Sequence, residues 1–448
     1  MKLKNNNIMK TIEKFRMVGY MAVIAFMLPL HSVTQTVNNQ EEASIDCPVN
    51  ASTQILFENK TGELEIQTWD KLSLNLKIFI EIKGDQKDVN ATLEAIRKLP
   101  VKKSNTSIEI NTQFYENWSS GNFLGGDKIK LTLHTGTKVS LDKLKVNYIL
   151  TIPENNDFKL VNKYEDVMMA DFSGKAELLI YDCDFHAGNF SKDLKIELKY
   201  SSAKLGNLGS LFLTSYDSKA EIEVCSDLKL NSKYSELDFG KTGNISLNVY
   251  DDKVFIDAHG DITGEAKYTT LFVHDFASGN LVLYDCTLKG ANAGIFILKA
   301  KYTKIEFLSI ENLDFQECYD NTINVGSLGN IDCLSKYTTF TVNELKGSFK
   351  INSYDDNISI GKASQTFKGL EIESKYSNLS ISLPHDLPII LTTDTKYTNL
   401  TFPKDKMQEK RYHKDDSEFQ YIGFTKDSEE SKCIPINISA YDGQIEIK

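Results

Sequence analysis

The chain is poor in the residues that usually carry chemistry. Arginine occurs three times in 448 residues, as Arg16, Arg97 and Arg411, which argues against phosphate clamps and bidentate carboxylate recognition. Histidine is scattered: His31, His134, His186, His259, His274, His385 and His413 form no HExxH and no pair at metal-ligand spacing. There is no GxSxG nucleophile elbow and no glycine-rich phosphate loop. None of the seven cysteines, Cys47, Cys183, Cys225, Cys286, Cys318, Cys333 and Cys433, stands in a CxxC pair, which argues against zinc and thioredoxin-type chemistry. Proline is scarce, at 8, so a disordered linker protein is not expected. No catalytic, metal or cofactor site is expected from these absences.

The one long apolar run, from Met17 to Leu30, is short for a bilayer span and follows a basic stretch containing Lys2, Lys4, Lys10, Lys14 and Arg16. It reads as a secretory signal peptide over residues 1–35, cleaved between Ser32 and Gln35. An exported chain follows: periplasmic, on the outer-membrane surface or secreted, with no membrane span once the signal is gone. Residues 1–35 carry five basic residues and one acidic, so their removal takes the net charge from −11 to −15. Such a chain repels nucleic-acid phosphates.

What is present is tyrosine, 20 in all, and most of it is periodic. Tyr164, Tyr181, Tyr200, Tyr216, Tyr234, Tyr250, Tyr268, Tyr284, Tyr302, Tyr319, Tyr337 and Tyr354 follow one another at 16 to 19 residues. Tyr376, Tyr397 and Tyr441 continue the series at wider gaps. A fixed period of this kind marks a repeat architecture. Two marker types alternate: Lys followed by Tyr, as at Tyr200, Tyr234, Tyr268, Tyr302 and Tyr337, and Tyr followed by Asp, as at Asp217, Asp251, Asp285, Asp320 and Asp355. Counting like markers, the true repeat is about 34 residues, made of two rungs of about 17.

Within a rung the apolar residues alternate with polar ones. Leu237 and Phe239 precede the turn-like segment GKTGN, and Ile245, Leu247 and Val249 follow it. Period-two alternation between turn residues reads as strands. Each tyrosine stands where the alternation shifts phase by one residue, which implies a bulge or corner. The pattern predicts an all-β, single-chain β-solenoid over residues 161–448, with tyrosines stacked along a corner. Alternation of marker Lys and Asp is expected to interleave opposite charges between rungs, since opposed cross-strand charges contribute ~0.2–1 kcal/mol per pair. Cys318 and Cys333, about one rung apart, are the best disulfide candidates; the odd count leaves at least one thiol unpaired or bonded to another chain.

Residues 45–160 read differently, as a β-rich N-terminal capping region. Val89, Leu93 and Ile96 lie at helical spacing, with Asp88 as the expected N-cap and Pro100 as the stop. The stretch Lys404 to Gln420, dense in charge, reads as a solvated loop near the far end.

The segments FENKTGELEIQTWDK and DVNATLEAIRKL, the rungs KYSSAKLGNLGS and KYSELDFG, and the terminal ISAYDGQIEI resemble a bacterial family of exported proteins labelled "putative adhesin", of otherwise unknown function. They are also similar to the head domains of autotransporter adhesins. The resemblance spans most of residues 45–448. It implies a β-solenoid and an envelope or surface location, and it supplies no catalytic residue. The family usually has glycine after the marker tyrosine, where this chain has Ser, Thr or Asp.

Function is then expected to be non-enzymatic: adhesin-like binding or a structural scaffold, with a surface glycan or an envelope protein as partner. The ladder Tyr200, Tyr234, Tyr268, Tyr302, Tyr337 with Asp217, Asp251, Asp285, Asp320 and Asp355 is the candidate binding or structural element. Two alternatives stay open. One is a carbohydrate-active solenoid enzyme using paired carboxylates such as Asp251 with Asp252 or Asp355 with Asp356. The other is a protein-interaction partner in envelope sensing.

Overall fold

The computed structural model describes residues 34–121, 128–258 and 260–448. The expected signal peptide falls on residues 1–33 and the two that follow, so all but its last two residues lie outside that set. The fold is a β-solenoid of about 12 turns, built from stacked parallel strands. Register is strict. Ser202–Tyr216 pairs in parallel with Lys219–Lys233, which pairs with Glu236–Tyr250, and the pairing keeps one constant offset throughout.

The rung length has a packing explanation. Along Ser202–Tyr216 the buried residues are Ala203, Leu205, Leu208, Leu211, Leu213 and Ser215, and the next rung resumes at Ser218 and Ala220. Inward-facing positions step by two on the flat sides, as a pleated strand requires, and by three at 205–208, 208–211 and 215–218. Four steps of two and three of three close the rung, which is the separation of Ser201 from Ser218 in the stack. The two bends near 206–210 keep their strand pairing. At the equivalent bends, a Cβ on Gly240 would stand 2.1 Å from the Glu223 carbonyl oxygen, and one on Gly243 1.9 Å from that of Ser226. The segment GKTGN is therefore not a loop but a double bend between touching rungs. Leu, Ile, Val and Phe fill one continuous core.

Solenoid pairing begins within residues 45–160. Gln54–Asn59 and Leu64–Trp69 lie in parallel against Phe158–Lys163 and Val167–Met169. Ser107–Asn111 covers one end of that first rung. The other is covered by Lys138–Pro153, which pairs antiparallel with Ser73–Asp85, which in turn pairs antiparallel with Thr34–Pro48. Among the described residues the only α-helix is Gln86–Arg97, packed through Val89, Thr92, Leu93 and Ile96. It starts ahead of the expected N-cap. Asp85 is the cap residue, without a side-chain bond. Asp88 sits in the first turn, where its carboxylate accepts the Ser140 N–H (2.9 Å).

The far end departs from expectation twice. Residues 404–420 are not a loop: Met407–Lys414 and Glu418–Thr425 form a β-hairpin, antiparallel to Ile389–Thr401. Its outer strand, MQEKRYHK, is exposed beyond Met407, and such a charged edge discourages pairing with another chain. The final strand, Ile434–Ile447, does not stack last. It inserts between Gly369–Lys375 and Ile389–Thr401, in parallel with both. No helix among the described residues is long and apolar enough to cross a membrane.

Candidate functional site

The tyrosine corner is the most regular surface feature of the molecule. The register places each marker Lys opposite a tyrosine of the next rung, and each marker Asp likewise: Lys199 faces Tyr216, which faces Lys233, which faces Tyr250. Two columns result. The first reads Lys199, Tyr216, Lys233, Tyr250; the second, one residue on, reads Tyr200, Asp217, Tyr234, Asp251. Rung length is constant in this stretch, and the tyrosines step back and forth between columns. That zigzag is the source of the alternating longer and shorter gaps between them.

This corrects the expected charge ladder. Lys and Asp occupy different columns and do not oppose each other. Lys199 pairs instead with Glu197 of its own rung (2.5 Å), and Lys301 with Glu317 of the next rung (2.6 Å). What the alternation builds is an aromatic ladder. Fifteen tyrosines, from Tyr164 to Tyr397, contact one another edge to face, with ring centroids 5.3–5.8 Å apart and planes at 74–87°. Edge-to-face pairs satisfy the ring quadrupole and are worth ~0.5–1.5 kcal/mol each beyond burial. All ten predicted ladder residues lie in this corner.

The ladder also explains the misplaced last rung. Lys375 with Tyr376 and Lys396 with Tyr397 are successive markers of the same type. Stacked directly, they would set lysine against lysine. The Tyr441 and Asp442 rung stands between them, and the tyrosines run Tyr376, Tyr441, Tyr397.

The second column turns the chain through the left-handed region. Tyr200, Tyr234, Tyr268, Tyr302 and Tyr337 have φ of 53–60°, and Asp217, Asp251, Asp285, Asp320 and Asp355 have φ of 47–55°. Asp tolerates this conformation; tyrosine does so at a cost of ~1–2 kcal/mol, which the ring contacts on either side offset.

Directly inside the corner lies a column the sequence reading missed. Ser201, Ser218, Ser235, Asp252, Thr269, Cys286, Thr303, Asn321, Thr338, Asp356 and Ser377 are buried. The corner interrupts strand pairing, so each N–H in this column needs another acceptor. The next rung's side chain supplies it. Ser201 N–H donates to Ser218 Oγ (3.1 Å), Ser235 N–H to Asp252 Oδ1 (2.7 Å), Thr303 N–H to Asn321 Oδ1 (2.8 Å) and Thr338 N–H to Asp356 Oδ1 (2.7 Å). The signal was visible: a small polar residue or cysteine follows every Lys-Tyr or Tyr-Asp marker in this run.

Two members of that column are carboxylates. Burial pushes Asp252 up to about 6, against the Ser235 N–H, the Ser232 hydroxyl and the Tyr250 N–H, which favour its charged form. Burial likewise pushes Asp356 up to about 6. Asp252 and Asp356 lie in different rungs of that column. Six rungs, roughly 29 Å at strand spacing, separate them, and their neighbours Asp251 and Asp355 are exposed corner residues.

All seven cysteines are free thiols. The expected Cys318–Cys333 disulfide is not formed: both are buried free thiols, and Cys318 Sγ lies 3.5 Å from Thr338 Oγ1 and 3.4 Å from Asn321 Nδ2. Burial raises the Cys333 thiol well above its ordinary value.

Two grooves flank the tyrosine ridge. On the aspartate side a 790 Å³ groove runs past Tyr200, Tyr234 and Tyr268 over the early rungs. On the lysine side a 1160 Å³ groove runs past Tyr319, Tyr354 and Tyr441 over the late ones.

No protein-family model matches the chain, and no curated protein matches it. A solved structure from Clostridium sporogenes ATCC 15579, described as a "putative cell adhesion protein", aligns over 90% of this chain and 98% of its own. Identity is 8% and the TM-score 0.16, too low for any structural argument.

Proposed function

We propose that the chain is a non-enzymatic, exported protein of the bacterial envelope or surface, and that its tyrosine ridge is an adhesin-like recognition surface. The signal-like N-terminus and the acidic charge support export and argue against nucleic acid as partner. One observation carries the binding role. The ladder tyrosines are held by backbone register, yet most keep 36–59% of their surface in water. Tyrosine presented rigidly is well suited to recognition, because little rotamer freedom is lost on binding.

The test is an array of envelope glycans and envelope proteins probed with the whole chain and with Tyr234→Leu and Tyr268→Leu variants. Saturable binding that the variants lose supports the reading. Absence of any binding, with the variants only lowering the melting temperature, makes the ladder structural and sinks it.

A further inference from the structure

The groove on the aspartate side has a period, a charge and an aromatic wall, and together these define a ligand. Its wall is the second corner column: Tyr200, Asp217, Tyr234, Asp251 and Tyr268, one residue per rung. The three rings are equally exposed, at 46–47%. Its floor is the buried polar column, Ser201, Ser218, Ser235 and Asp252. On the opposite lip Lys219 and Lys253 both pair with Glu236, at 3.5 and 3.2 Å. Asp217 and Asp251 are exposed and belong to no ion pair among the described residues, so the groove carries uncompensated negative charge.

Period then selects the ligand's conformation. Like residues recur every two rungs, about 9.6 Å at a strand spacing near 4.8 Å. A polyproline II helix turns once in three residues, about 9.3 Å, so the mismatch over the two steps from Tyr200 to Tyr268 stays under about 1 Å. An extended strand presents like side chains every ~6.8 Å and an α-helix turns every ~5.4 Å; both fall out of step within one repeat. Polyproline II segments are recognised by aromatic-lined grooves that accept their rings, and they lose little entropy on binding.

We infer that this groove binds a proline-rich, basic peptide segment in the polyproline II conformation, laid along the solenoid axis. Its prolines sit between Tyr200, Tyr234 and Tyr268, and one cationic side chain per turn meets Asp217 and Asp251. This rests on the recognition role proposed for the ridge and names its partner class.

The experiment measures binding of the whole chain to a (Pro-Pro-Lys)₄ peptide by calorimetry, with (Gly-Ser-Lys)₄ as a probe of equal charge and no preformed helix. Oligosaccharides from the array serve as competitors. The binding variant is D217N/D251N, because asparagine takes the left-handed conformation as readily as aspartate, and an unchanged melting curve confirms its fold. The expected result is at least tenfold tighter binding of the proline peptide than of the glycine one, and at least a tenfold loss in D217N/D251N. Equal affinity for both peptides, or full affinity in D217N/D251N, overturns the inference. If an oligosaccharide binds on the ridge and the proline peptide does not, the partner class falls while the recognition surface stands. If nothing binds, both fall.

Discussion

Replacing Asp252 by serine tests the account of the corner most directly. Asp252 is the only charged side chain in its stretch of the buried column, where Ser218, Ser235 and Thr269 do the same work. Its carboxyl accepts the Ser235 N–H, the Ser232 hydroxyl and the Tyr250 N–H at 2.7, 3.0 and 3.0 Å. Burial nevertheless raises its pKa from 3.8 to about 6. A folded-state value above the unfolded one means that folding takes up a proton. The associated stability is complete below about pH 4 and is lost as pH rises through about 6. At 1.36 kcal/mol per pKa unit, and with some residual solvation, that loss is about 2–3 kcal/mol. Asp252→Ser removes the titration. It costs something at every pH through the two acceptor contacts it loses, but this part is constant. The quantity to measure is the stability difference between the variant and the parent chain, from urea melts at half-unit steps between pH 4 and pH 8. It should shift by about 2–3 kcal/mol in favour of the variant as pH rises. Repeat arrays unfold in parts, so hydrogen exchange over residues 232–252 should follow the same curve. A difference that stays flat from pH 4 to pH 8 refutes the claim that burial governs this carboxyl.

Other outcomes follow from the same geometry. Tyr234→Ala removes two edge-to-face contacts, at 5.6 and 5.8 Å, and should cost ~1–3 kcal/mol; Tyr234→Gly should cost about 1 kcal/mol less because it also relieves the left-handed φ of 60°. Equal melting temperatures for the two variants would contradict the strain argument. Thiol reagents on the native chain should modify Cys183 and Cys433, which are partly exposed, well before the five buried cysteines; mass spectrometry after brief alkylation checks this. Truncation after residue 433 removes the inserted strand and leaves Lys375 facing Lys396 across bared Leu370, Ile372 and Leu391. Limited proteolysis should then cleave within 369–401 while the earlier rungs stay intact, and an unchanged digestion pattern would show that the last rungs hold together without it.

The rung length, the all-β class and the position of the tyrosines at a corner were legible because they depend on local parity. Alternation along a strand, and its slip at Tyr200 or Tyr216, is decided by which residues can face an apolar core. The polar column of Ser201 to Ser377 was equally legible but went unread, because serine and threonine after a marker look like ordinary turn residues until the missing backbone acceptor is seen.

What one rung does to the next belonged to the tertiary structure. Whether Lys199 opposes Asp217 or Tyr216 turns on a register offset of one residue, and both offsets fit the same marker spacing. Ring packing between Tyr200 and Tyr216 selects the second. The order of the last rungs was settled in the same way: chain order puts Lys396 after Lys375, whereas stacking energy puts Tyr441 between them. The hairpin at Met407–Lys414 and Glu418–Thr425 also escaped local reading. Its outer strand, Met407–Lys414, is polar on both faces beyond Met407, and what makes the pair strands is the open edge of Ile389–Thr401, whose backbone donors and acceptors Glu418–Thr425 satisfies. Local sequence determined what each rung is, because side chains choose between core and water one residue at a time. The stack determined what the surface offers a partner, because columns exist only between rungs.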